Sequence, residues 1–291
     1  MKISIVTPSY NQAEFLDSTI RSVLDQDYED LEYVIMDGGS TDGSVDIIKR
    51  YAHQLKWWES GPDDGQYSAI QKGFEHTTGE IMAWINSDDM FLPWTFTTVK
   101  EIFSTFPEVD WITSLIPITW NGDGVPVKCS PRRGYSRETF DRGFNLPDHG
   151  WHANYYVQQE STFWRRSLWE RSGGAIETSF RLAGDYDLWG RFFENADLYG
   201  VAVPLGGFRR HAQQKTASQM DAYRREALRV MRQRSFRPCR SLETAMRNML
   251  DVGASPGAAK LLGKLGLAYE AVNITYDLSS QSWTKSRGYI I

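Results

Sequence analysis

The chain has only two cysteines, Cys129 and Cys239, in 291 residues. That excludes a disulfide framework and a cysteine-rich zinc site. It has no apolar run near the roughly 18 residues that a membrane-spanning helix needs. Its first residues, Met1-Lys2-Ile3-Ser4-Ile5-Val6-Thr7-Pro8, lack the long apolar stretch and small-residue cleavage site of a secretory leader, so a cytoplasmic location is expected. Positive charge is not in excess: Lys and Arg number 32 against 37 Asp and Glu, for a net charge of −5. General nucleic-acid binding is therefore disfavoured. Several catalytic signatures are missing as well. No G-x-x-x-x-G-K-[ST] loop, no H-E-x-x-H and no G-x-S-x-G elbow occurs. No G-x-G-x-x-G follows the first apolar run, which argues against a dinucleotide-dependent oxidoreductase.

Tryptophan, by contrast, is abundant and unevenly placed. Ten of the 11 lie between Trp57 and Trp189, and only Trp283 falls in the last hundred residues. Along the same stretch, short β-branched runs alternate with helical stripes. Strand character is expected at Ile3 to Thr7, Leu31 to Met36, Glu80 to Ile85 and Val109 to Ile118. Between these runs, apolar residues recur at helical spacing, as in Phe15, Leu16, Ile20, Val23 and Leu24, or Phe96, Val99 and Phe103. Residues 121–155 read as loops, Glu160 to Trp164 as a strand, Asp185 to Phe193 as a helix, and the chain from Ala222 onward as mostly helical. Strand–helix–strand repetition implies parallel βαβ units and an α/β sheet.

In such sheets ligands sit beyond the carboxyl ends of the strands. The segments there are Pro8-Ser9-Tyr10-Asn11, Asp37-Gly38-Gly39-Ser40 and Asn86-Ser87-Asp88-Asp89. Adjacent carboxylates repel each other unless a cation or a network compensates. A hard divalent ion does this while sharing its shell with substrate phosphates; an N-cap before Leu92-Pro93 is the plainer alternative. Asp37 at a strand end suits a hydrogen bond from a base or ribose. Glu59 to Tyr67 is an acidic turn leading into a helix, and its Asp64 is a candidate donor-binding residue. Asp185, in Ala183-Gly184-Asp185-Tyr186-Asp187, is either a general base or a helix cap.

Taken together and in this order, these segments resemble the family 2 glycosyltransferases of GT-A fold. Ile5 to Asn11 looks like that family's first strand and nucleotide-binding turn, with Pro8, Tyr10 and Asn11 on the donor. Asp37 matches the aspartate that meets the donor base. Asn86-Ser87-Asp88-Asp89 matches its D-x-D site, with Asn86 standing at the leading acidic position. Asn86 and Asp88 would then face the donor, and Asp89 the metal, Mg²⁺ or Mn²⁺. Gln159 to Arg166, including Glu160, looks like the acceptor-side strand. Asp185 matches the catalytic base, and His211 the histidine that closes the catalytic region, as a metal or diphosphate contact or simply a loop residue.

The resemblance covers about residues 1–215. It implies a Rossmann-like, mostly parallel central sheet flanked by helices, with a C-terminal helical extension. Residues 1–105 would bind the nucleotide sugar, 106–215 the acceptor and the base, and 216–291 would form the extension. It further implies inverting transfer of one sugar from a nucleotide-diphospho-sugar, UDP-sugars first, to a glycan or lipid-linked acceptor in surface polysaccharide biosynthesis. The processive Q-x-x-R-W motif is missing, so single addition is expected. A sugar-nucleotide nucleotidyltransferase and a non-catalytic glycan-binding module remain as alternatives.

Two further features stand out. From Arg209 to Arg240 ten Lys or Arg face two acids, giving +8 there and −13 elsewhere. A basic amphipathic helix of this kind either lies on an anionic membrane surface or packs by its apolar stripe. Among the tryptophans, Trp84, Trp164, Trp169 and Trp189 read as core, and Trp151 as a platform for the apolar face of an acceptor sugar. Nothing in the sequence bears on oligomeric state.

Overall fold

In the computed structural model of the chain, which describes residues 1–146, 156–212, 214–234, 261–264 and 268–290, the alternating pattern becomes βα units. β1 (Ile3–Ser9) leads into α1 (Ala13–Leu24), β2 (Leu31–Asp37) into α2 (Ser44–Tyr51), and β3 (Trp57–Ser60) into α3 (Gln66–Glu75). β4 (Ile81–Trp84) is followed by the two-residue β5 (Met90–Phe91) and α4 (Thr95–Thr105). Next come β6 (Trp111–Ser114), β7 (Ile118–Trp120), β8 (Pro126–Cys129) and the single turn α5 (Arg137–Asp141). β9 (Thr162–Arg165), α6 (Arg166–Arg171), α7 (Gly184–Asn195), β10 (Leu198–Val201) and β11 (Gly206–Arg209) complete the region carrying the motifs. α8 (Lys215–Gln233) and a hairpin of β12 (Tyr269–Asp277) and β13 (Ser282–Ile290) follow.

The main sheet has nine strands in the order β13-β12-β10-β6-β9-β4-β1-β2-β3. Five of its eight pairings are parallel, so the expected α/β architecture with a mostly parallel sheet is present. Register places Ser9 beside Asp37 and Asp37 beside Ser60, which lines up the carboxyl ends of β1, β2 and β3 at one edge. A second sheet, β5-β11-β7-β8, lies against that edge. Antiparallel pairing of β5 with β11 carries the segment just after Asp88-Asp89 next to the segment just before His211. β11 runs so close to the Trp120 indole that a Cβ on Gly207 would lie 2.3 Å from Nε1; only glycine fits.

Four indoles are fully buried: Trp84, Trp111 and Trp164 from the main sheet and Trp189 from α7. Trp84 and Trp189 stack with ring centroids 5.8 Å apart, and Trp164 meets both edge-on. Truncating any of them would cost on the order of 3–5 kcal/mol. Trp169 is buried against Phe74, whereas Trp57 and Trp94 are exposed.

Several segments differ from the expectations. Val109 to Ile118, expected as one strand, divides into β6 and the start of β7, which join different sheets, and residues 121–155, read as loops, contain β8 and α5. Residues 269–290 form strands, not the expected helical extension. Val272, Ile274, Thr275 and Tyr276 favour strand, and Asp277 closes the turn by accepting from Ser279 N–H and Ser280 Oγ. β12 then pairs in parallel with β10. The edge strand β3 is also new; its mixed exposure gives it no clean alternation. Along α8, Ala227, Val230 and Met231 are buried in the core, so the apolar stripe considered for membrane insertion is already occupied. Arg225, Arg229 and Arg232 remain exposed on its outer side.

Candidate active site

β1 ends in an exposed Tyr10 and in Asn11, which adopts φ 51°. Asn11 is held by Ser40 Oγ at its N–H and accepts from Thr41 N–H at its side chain. That tie docks the β1 turn on the β2 turn. Asp37 is buried, and its carboxylate is saturated from within the loop: Gly39 N–H, Ser40 N–H, Ser40 Oγ and Ser60 Oγ all donate to it. The residue expected to meet the base therefore also organises its own loop and ties it to the end of β3. The Tyr10 ring and the Asp63 carboxylate both lie over Gly38. Asp64 is exposed on the same loop, and Pro8 sits buried in β1.

At the end of β4 the two aspartates take opposite directions. Asp89 is fully buried. Its Oδ1 accepts from the Arg209 backbone N–H at 2.8 Å and its Oδ2 from Asn86 Nδ2 at 3.2 Å. Burial, with Asp88 and Glu160 near by, pushes its carboxyl well above the usual range. Asp88 turns outward, and its Oδ2 lies 2.9 Å from His211 Nε2. The expectation set the cation at Asp89 and His211; in the structure Asp89 is turned inward, and the carboxylate that meets His211 is that of Asp88. His211 is fixed by the Phe15 ring, 4.3 Å away between centroids. Arg209, itself buried, lies over the same ring and donates to Ser18 Oγ. Asn86, at the leading position of the motif, joins a chain of amides: Gln66 Nε2 donates to its Oδ1, and its Nδ2 also reaches Gln159 Oε1 at 3.3 Å.

Asp185 opens α7. Its Oδ1 accepts from the Tyr186 N–H at 2.8 Å and from the Tyr67 hydroxyl at 3.3 Å. Tyr67 also donates to Leu182 O at 2.7 Å. Its ring lies where a side chain on residue 184 would be, 2.9 Å from a Cβ there, so Gly184 is what lets Tyr67 reach the base position. Burial raises the Asp185 carboxyl to about 6, against the opposing hydrogen bonds from Tyr186 N–H and Tyr67. Such a group is ionised at neutral pH and holds a proton readily, as a general base must. Glu160 sits in the 3-10 turn before β9. It is buried, its Oε1 has no partner, and burial together with the charges of Asp88 and Asp185 drives its carboxyl upward. Trp151 lies outside the described residues.

The structure thus gathers Tyr10, Asn11, Asp37, Asn86, Asp88, Asp89, Glu160, Asp185 and His211 along one edge of the sheet. Tyr67, Gln66, Gln159 and Arg209 belong to the same constellation and were not singled out by sequence. Among the described residues no three His, Cys, Asp or Glu side chains converge on one metal position. Asp88 and His211 supply two donors, which suits a hard cation that takes the rest of its shell from diphosphate and water.

Comparison with known proteins agrees with this fold. The profile of glycosyl transferase family 2 matches residues 4–159, which stops short of Asp185 and His211. An uncharacterised glycosyltransferase of Nostoc sp. is 40% identical over 114 residues, 36% of this chain and 34% of the relative. This chain therefore spans about a third of that relative's length. S. aureus TarS in complex with UDP-GlcNAc superposes with a TM-score of 0.58 at 14% identity, covering 91% of this chain and 80% of that one. A Pyrobaculum calidifontis mannosyltransferase in complex with GDP-Man and Mn²⁺ gives 0.56 at 17% identity, over 91% and 79%. At such identities the likeness speaks for the GT-A fold alone. With the profile matching more than half of its residues, the chain belongs to glycosyl transferase family 2.

Proposed function

We propose that the protein transfers a single sugar from a nucleotide-diphospho-sugar to an acceptor hydroxyl, with inversion at the anomeric carbon. The observation that carries this reading is a carboxylate of raised proton affinity, Asp185 at the start of α7, linked to the Asp88–His211 pair at the strand ends by the buried Glu160, whose carboxyl feels the charges of both Asp88 and Asp185. In the reaction the acceptor oxygen attacks the anomeric carbon from the face opposite the diphosphate. A carbon–oxygen bond to the acceptor forms, the bond to the diphosphate breaks, and the acceptor's proton passes to Asp185. Tyr67 holds that carboxylate in place by donating to it. The β1 and β2 turns, with Tyr10, Asn11 and the Asp37-organised loop, form the nucleoside platform. A divalent cation on Asp88 and His211 would offset charge on the departing diphosphate.

The donor is a UDP-sugar in this reading, supported by the UDP-GlcNAc complex among the fold neighbours; the mannosyltransferase complex supports Mn²⁺ as the cation. The acceptor is a glycan or lipid-linked glycan of surface-polysaccharide biosynthesis, and the enzyme works in the cytoplasm. Contact with an anionic membrane, if made, rests on the exposed Arg225, Arg229 and Arg232 and not on insertion of the α8 stripe. Flotation with anionic liposomes at low salt, lost at high salt, is the expected behaviour.

A thermal-shift panel of UDP-glucose, UDP-N-acetylglucosamine and GDP-mannose, with and without Mn²⁺, tests the reading. One donor at 100 times its Kd should stabilise the protein by about 2.7 kcal/mol, and Mn²⁺ should strengthen the effect. Asp88→Ala should abolish the Mn²⁺ increment. No response to any of the three donors would overturn the reading, and donor binding without any turnover would point to a binding module.

A further inference from the structure

α7 begins without a cap of its own. Its N-cap position is Ala183, which has no side-chain acceptor. Within the first turn Asp185 itself accepts from the Tyr186 N–H, and the amides of the turn just before the helix, Arg181 to Ala183, need acceptors as well. Glu226 of α8 supplies them. Its Oε1 accepts from the Arg181 N–H at 3.2 Å, and its Oε2 from the Leu182 N–H at 2.8 Å and the Ala183 N–H at 3.0 Å. The carboxylate also puts negative charge at the positive end of the α7 dipole. Tyr67 grips the same turn from the other side, through Leu182 O. Asp185 stands two residues beyond this doubly held turn. α8 is anchored in turn by the buried Ala227, Val230 and Met231, and by Arg229 over the Phe180 ring.

We propose that Glu226 is a positioning residue for the catalytic base: the α8 helix, which lies beyond the family-matched residues, sets the placement of Asp185 by capping the turn that leads into α7. The inference rests on the reading of Asp185 as the base. Three backbone hydrogen bonds to one carboxylate make the turn rigid, and catalysis is sensitive to displacements of about 1 Å. The donor platform is built at the ends of β1, β2 and β4, away from this contact. Loss of Glu226 should therefore act on turnover and spare nucleotide binding. The ionisable groups around Asp185 are Tyr67 from α3, Tyr186 on α7 itself, Glu160 from the turn before β9, and Tyr223 and Glu226 from α8.

The test uses the full chain. Turnover is read as nucleoside diphosphate released from whichever of the three panel donors the wild type uses fastest, and binding as calorimetric titration with UDP or GDP. Glu226→Ala should lower kcat at least tenfold while leaving the nucleotide Kd within about twofold. Glu226→Gln keeps one carbonyl acceptor and loses the charge. It should recover part of kcat, and the acid limb of its kcat–pH profile should move to lower pH, because a negative neighbour no longer opposes ionisation of Asp185. Gln233→Ala, exposed on the same helix, should behave as wild type. Turnover within twofold of wild type and an unmoved acid limb in both Glu226 variants would overturn the proposal. So would equal losses of turnover and nucleotide binding in both, which would mark a merely structural role. Asp185→Asn separates the two ideas: if it keeps turnover the base assignment fails, and if it is inactive while Glu226→Ala is normal only the capping role fails.

Discussion

At the amino ends of β1 and β2 the buried carboxylate of Glu32 accepts from Ser4 Oγ, Thr78 N–H, Thr78 Oγ1, Gly79 N–H and Lys2. Although burial works against it, these bonds hold its carboxyl down to about 2. At the carboxyl ends of the same sheet, Asp89, Glu160 and Asp185 are also withdrawn from water, yet all three shift the other way. Glu160 even leaves an oxygen without a partner. One end spends its carboxylate on tying strands together. The other, the saturated Asp37 apart, keeps its carboxylates with fewer donors, in the condition that suits proton transfer and ligand capture.

This contrast can be broken at either end. The largest effect is expected from Asp185→Asn: kcat should fall about 10²–10⁴-fold with nucleotide affinity unchanged, measured by product release and calorimetry. Next, Glu32→Ala should destabilise the fold by about 3 kcal/mol at pH 7 in urea unfolding, while activity per folded molecule persists. The sign follows from linkage. Glu32 has a depressed carboxyl, so its contribution is present above the ordinary 4.5 and is lost as pH falls toward 2. A destabilisation that stays the same from pH 7 down to pH 2 would contradict this. Tyr67→Phe should lower kcat about tenfold and move the acid limb of the kcat–pH profile above pH 6, because its hydroxyl favours the ionised form of Asp185. The smallest effect belongs to Glu160→Gln. Its carboxyl is raised, so ionisation costs stability as pH rises through the folded value. The variant should match wild type at pH 5 and exceed it by about 1 kcal/mol at pH 8.5.

The parts of the molecule legible in sequence are those whose signal is local. β1, β2 and β4 are apolar runs, and the polar segments that end them must lie at the sheet edge, so chain order alone is enough to group Asn11, Asp37 and Asp88. The split between Asp88 and Asp89 is not legible in this way, because it depends on an amide of Arg209 that lies 120 residues away. Tyr67 is missed for the same reason: its partner is α7, and the one signal pointing to it is the glycine directly before Asp185. β3 and the closing hairpin are hidden by exposure on both faces, which removes the alternation on which strand recognition depends.

The stacked pair of Trp84 and Trp189 has an optical consequence. One indole ends the strand that leads into Asp88, and the other rides on the helix that carries Asp185. Nearly parallel indoles at this spacing couple their excited states, so near-ultraviolet circular dichroism should report how α7, which carries Asp185, seats on the strand that leads into Asp88. The protein carries a built-in spectroscopic gauge of its own active-site geometry, readable without a label.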